Sequence, residues 1–179
     1  MTWTTPSTVV AGSTELTASL WNEQVRDNLN YLATPPSVQV YRSSNLTSYT
    51  ANTDIAWNAE AWDTDDMYTS ATSTTNIVIN TAGIYIISFN GQVFGSPTIS
   101  RITPRVFKNG NNFIQTESII TDSGVTGFVY MGAVHSLAEN DVITARVNFT
   151  GGSNYYLSGG SVDTNSTMRL SLVWIGKTS

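Results

Sequence analysis

The sequence predicts an all-β fold, a jelly-roll β-sandwich preceded by one short amphipathic α-helix. Three observations carry this. First, Ile84 to Phe94 alternates, with Tyr85, Ile87, Phe89 and Val93 on one parity and Ser88, Asn90 and Gln92 on the other, as a strand with one buried face requires. Second, turn-forming residues recur at short intervals after residue 38, dividing the chain into roughly ten short strands. Third, the chain closes on an apolar strand, Thr167 to Gly176, with Met168, Leu170, Leu172 and Trp174 on one parity, able to pair beside the long central strand.

Composition bounds the function. A chain of 179 residues is long enough to bury a real core, and with no Cys it has no disulfides, thiolate metal sites or Cys nucleophiles. A net charge of -5 argues against a phosphate-binding surface, so nucleic acid is not expected as a partner. No apolar run approaches the roughly 18 residues of a membrane span, and residues 1 to 20 lack a basic start followed by an apolar block. Neither a membrane anchor nor a signal peptide is expected. Only 12% of residues are charged while Thr, Ser, Asn and Gly crowd the chain, a composition common in β surfaces exposed on particles or fibres.

Residues 1–34 differ in kind from the rest. Trp3-Thr4-Thr5-Pro6 and the polar stretch to Ser13 read as an extended peptide, with Trp3 as its anchor. Thr17 can N-cap a helix running to about Leu32, with Leu20, Trp21, Val25, Leu29 and Leu32 on one stripe at steps of three or four. Such a helix is about 24 Å long and marginal in isolation. Its stripe needs a partner: its own sandwich, another chain or a short self-bundle.

Residues 35–37, centred on Pro35-Pro36, read as a stiff linker and the boundary to a β domain over 38–179. Val38 to Arg42 is the first strand, and Asp54 to Asn58 a second around Ile55 and Trp57. Glu60 to Tyr68 reads as a polar turn carrying acids. Ile77 to Ile79 and Ile84 to Phe94 read as adjacent strands about a tight turn at Ala82-Gly83, where Gly serves close backbone approach or positive φ. Arg101 to Lys108 and Phe113 to Ile120 form a hairpin about Asn109-Gly110, the pair suited to a type I′ turn. Gly127 to Leu137 and Val142 to Phe149 follow, the latter with Ile143, Ala145, Val147 and Phe149 inward. Gly151 to Gly160 reads as a polar loop around Tyr155 and Tyr156. A second apolar parity on the central strand, Ile84 and Ile86, marks an interface between copies, because its other face already fills the core.

Two resemblances sharpen this. Trp3-Thr-Thr-Pro6, Leu16-Thr17-Ala18, Trp21-Asn22, Val25-Arg26-Asp27-Asn28-Leu29 and Tyr31-Leu32 resemble the amino-terminal module of many minor structural proteins of tailed bacteriophages. The resemblance implies a virion-attachment segment, with Trp3, Pro6, Leu20, Trp21, Val25, Leu29 and Leu32 as anchoring residues. Across the β domain, Ile55-Ala-Trp57-Asn58, Asp63, Ala82-Gly83-Ile84-Tyr85, Lys108-Asn109-Gly110, Leu137 and Asn140-Asp141-Val142 resemble complement C1q and tumour necrosis factor-like domains. That family forms tight trimers, so the resemblance implies a homotrimer. The chain departs from it in lacking a collagen repeat and in carrying Trp57 where Phe is common.

Candidate chemistry is sparse. Asp63, Asp65 and Asp66 could offer oxygens to calcium, but lack the Gly and final Glu of an EF-hand, and a solvated acidic turn accounts for them. His135 is the only His and reads as structural. No nucleophile motif or phosphate loop appears, so no enzyme activity and no cofactor are expected. Tyr155 and Tyr156 are a possible ligand loop, able to stack on sugars or to pack between copies. The expectation is a non-enzymatic virion protein, a trimeric head fibre or capsid decoration protein partnered by capsid or tail proteins. The alternative is a tail-fibre tip recognising host surface glycans.

Overall fold

The structure, a computed structural model, describes residues 17–96, 99–119, 126–161 and 166–178. Thr17 caps the helix as expected, its hydroxyl accepting from the Leu20 N–H at 3.1 Å. The helix is not uniform: an α turn, α1 (Ala18–Trp21), passes into a π turn (Asn22–Arg26) and then into α2 (Asp27–Ala33). Trp3 and Pro6 lie outside the described residues.

Among the described residues the β domain is two antiparallel sheets. The larger runs β2 (Leu46–Tyr49), β11 (Ser153–Leu157), β5 (Gly83–Ser96), β12 (Arg169–Gly176), β1 (Ser37–Tyr41) and β3 (Ala59–Asp63), with β9 (Thr126–Leu137) on the far side of β5. The smaller runs β4 (Ile77–Val78), β10 (Val142–Thr150), β6 (Arg101–Lys108) and β7 (Asn111–Gln115), with β8 (Ser118–Ile119) also on β6. The expected parities hold. Tyr85, Ile87, Phe89 and Val93 of β5, Ile143, Ala145 and Val147 of β10, and Met168, Leu170 and Leu172 near the chain end are all buried in one core. At the β6–β7 turn, Asn109 and Gly110 have φ of 52° and 77°, the two left-handed residues a type I′ turn requires.

Five expectations need correction. Asp54 to Asn58 is not a strand. Its N–H groups go to different partners, Ile55 to Ala145 O and Trp57 to Thr74 O, so no ladder forms, although both side chains are fully buried. Glu60 to Tyr68 is not simply a turn, because Ala59–Asp63 pairs with β1; at a sheet edge polar side chains face water while the backbone pairs. The runs at Ile77 and Ile84 are consecutive but lie in opposite sheets, β4 on β10 and β5 on β12, so the intervening turn is a corner across the sandwich. The return strand of the Asn109-Gly110 hairpin is split into β7 and β8. Finally, Gly151 to Gly160 contains β11: Gly151 and Gly152 take φ of 77° and 72° and turn the chain back to pair with β2 and β5. Leu46–Tyr49 forms the short strand β2 although its sequence barely alternates.

Candidate functional site

The register of the larger sheet builds its outer face residue by residue. Ile86 stands between Val134 of β9 and Val173 of β12, all on outward parity. Two residues further along β5, Ser88 faces Gly132 and Ser171, and beyond it Asn90 faces Tyr130 and Arg169. Gln92 faces Phe128. The apolar members are left bare: Tyr130 is 81% exposed, Phe128 62%, Val134 58%, Ile175 50% and Ile86 44%. Ile84 is partly covered. Ile86 thus sits where the sequence put it. The larger share of the patch is on β9, whose apolar residues occupy both parities, with Val129 and Met131 buried and Phe128 and Tyr130 outside. That doubled parity was the signal available in the sequence.

Two pairs of polar side chains on this face bond to each other. Gln39 Nε2 donates to Ser171 Oγ at 2.7 Å, and Arg169 Nε donates to Asn90 Oδ1 at 3.2 Å. A shallow depression of about 320 Å³ between Asn90, Phe128, Tyr130 and Arg169 interrupts the face. A surface with exposed aromatics and with polar groups bonded to one another is suited to covering by protein.

The helix docks at one end of the same sheet. Tyr31 is 1% exposed and meets Trp174 edge-on, ring centroids 5.0 Å apart. Trp174 N–H donates to Pro36 O at 2.9 Å, so the linker is bonded into the sheet end. Tyr85 OH donates to Thr81 O at 2.6 Å beside this contact. Burial pushes both phenols above their usual value, and the Asp65 carboxylate adds to the effect. Asp65 itself is raised by burial, against a hydrogen bond from Thr81 that lowers it. Tyr31 therefore attaches the helix to the sheet end, and it and the buried Asn28 lie outside the expected stripe. Trp21, Leu29 and Leu32 remain 51%, 60% and 55% exposed, while Leu20 and Val25 are half-buried.

The other candidates resolve into structure. Tyr155 and Tyr156 lie on a strand instead of a free loop: Tyr155 stacks on Phe149 at 4.2 Å, and Tyr156 on Phe94 at 4.4 Å. One face of each ring is already occupied by its neighbour. Asp63 caps the turn that follows β3, accepting from Asp65 N–H at 3.1 Å and Tyr68 N–H at 2.7 Å. Among the described residues no group of three or more His, Asp or Glu is placed to hold a metal ion. His135 rests on Phe113 at 4.4 Å, bridging the sheets at their open edge. No described helix is long and apolar enough to cross a membrane.

No protein-family model matches the chain, and no curated protein does. Solved structures do. The globular domain of a zebrafish complement 1qA protein is similar over 80% of this chain and 99% of its own, at 16% identity and a TM-score of 0.57. Eiger TNF from S. frugiperda is similar over 80% and 94%, at 11% identity and a TM-score of 0.60. Murine APRIL is similar over 78% and 98%, at 12% identity and a TM-score of 0.55. The fold is a jelly roll of the C1q and TNF type.

Proposed function

We propose that this chain is a non-enzymatic structural protein of a phage virion, a homotrimer assembled through the outer face of the larger sheet. Residues 1–34 hold it to the particle, and the jelly roll over 38–179 projects outward as a head fibre or capsid decoration. The observation that carries the assembly is that Ile86, Phe128, Tyr130 and Val134 stand bare on the outer face of a sheet whose other face already fills the core. The virion part is supported by the resemblance of the Trp3 to Leu32 segment to phage attachment modules. The alternative, a tail-fibre tip that recognises host surface glycans, would use the ring faces of Tyr155 and Tyr156 that Phe149 and Phe94 leave uncovered.

Light scattering on the full chain at micromolar concentration should give three times the 19.4 kDa chain mass. Ile86→Glu combined with Val134→Glu should give a folded monomer, because like charges cannot be buried unpaired at the interface. A monomeric parent would overturn the assembly. Antibody labelling of purified particles, imaged by electron microscopy, should place the protein on the particle surface. Particles free of the protein would overturn the virion role.

A further inference from the structure

The helix carries an apolar face that its own sandwich does not cover, and the π turn explains how that face is made. Asp27 N–H donates to Asn22 O, a five-residue step that admits one extra residue into the turn. Every later residue is set back by one position, about 100° around the axis. Leu29 then stands to Trp21 as a residue seven positions on stands in a regular helix, in line with it. Tyr31 falls on roughly the opposite side. In an unbroken α-helix Asn28 would take the place below Trp21 instead. The exposures agree, with Trp21 and Leu29 bare while Asn28 and Tyr31 are buried, Tyr31 against Trp174 at the sheet end.

We propose that this face, Trp21, Leu29 and Leu32, packs against the same face of two other copies of the chain, forming a three-helix collar on the trimer. The inference rests on the trimer reading above. Three features favour copies of the chain as the occupant. Tyr31 on Trp174 and Pro36 O on Trp174 N–H fix the helix to the end of β12, whose outward Val173 and Ile175 continue the patch that joins the sheets. A symmetry axis that unites three sheet faces brings the elements at that end to one level. Charge does not oppose the contact, since Arg26 and Asp27 neutralise each other within one helix at 2.8 Å. The collar narrows the particle contact within the attachment segment of residues 1–34 to residues 1–16, with Trp3 and Pro6.

The chain has no Cys, so a single engineered thiol reports on neighbours unambiguously. In the full-length trimer, Leu29→Cys under mild oxidation should yield disulfide-linked pairs on a denaturing gel, with Asn30→Cys, also exposed but off the face, staying largely unlinked. Leu29→Glu with Leu32→Glu should leave the jelly roll folded and raise the concentration at which the trimer dissociates by tenfold or more. A trimer in which neither thiol links, or in which both link equally, overturns the collar and leaves the sheet interface standing. A chain that is monomeric at every concentration overturns both.

Discussion

Adding one methyl group at Gly83 tests the contact on which the sheet end is built. Gly83 opens β5 directly against Trp174, whose indole N–H donates to Ala82 O at 3.3 Å. A Cβ built on Gly83 would lie 2.0 Å from Trp174 Nε1, 2.5 Å from its Cδ1 and 2.6 Å from Gly176 O. Gly83 is not among the residues with left-handed φ, so the penalty is steric and arises from Trp174 and the β12 backbone. Trp174 is held by Tyr31 on one side and by the strand pairing on the other, which leaves it little room to yield. Overpacking of this kind costs about 1–3 kcal/mol, which for a domain of this size lowers the melting temperature by roughly 3–10 °C. The assay is thermal unfolding of Gly83→Ala followed by circular dichroism, repeated in a Trp174→Leu background. With the indole gone, the added methyl should cost less than in the parent, a non-additivity expected of residues in contact. An unchanged melting temperature for Gly83→Ala, or the same loss in both backgrounds, would refute the argument.

Two carboxylates should respond oppositely to neutralisation. Burial raises Asp54, but hydrogen bonds from Arg146 and Thr144 and the Arg146 charge outweigh it and hold the carboxyl below its usual range. Its contribution is present above the unfolded value of about 4 and lost as pH falls through the lower folded one, so in urea titrations Asp54→Asn should destabilise at pH 7 and converge on the parent in acid. Asp65 is raised by burial, so its contribution is full in acid and lost as pH rises through the folded value. Asp65→Asn should therefore be no less stable than the parent at pH 7, and a loss matching that of Asp54→Asn would sink this reading. At the hairpin, Gly110 has φ of +77° with nothing within 4 Å of an added Cβ, so Gly110→Ala should cost about 1 kcal/mol in urea unfolding through backbone strain alone. Tyr31→Ala should release the helix: amide exchange over 27–33 should rise strongly while β5 and β12 stay protected, and protection unchanged in the helix would show that Tyr31 does not hold it.

The strands of the core were legible because their information is local. Period-two alternation over β5, β10 and β12 decides which side chains face inward, and the Asn109-Gly110 pair decides its own turn, whatever the rest of the chain does. Thr17 likewise announces the helix start through a bond made within one turn. What pairs with what was not local. Consecutive strands at Ile77 and Ile84 enter opposite sheets, and Asp54 to Asn58 alternates yet runs between partners on Ala145 and Thr74, because both outcomes depend on groups far along the chain. Polar composition concealed β3 and β11, where an edge position or a stacked neighbour supplied what the side chains lacked. The helix divides the same way. Its apolar residues were readable, but the π turn and the fit of Tyr31 onto Trp174 decided which of them face the sheet end and which face outward. A sequence specifies the groups that must be buried; only the assembled sandwich decides which surface is left to bury them.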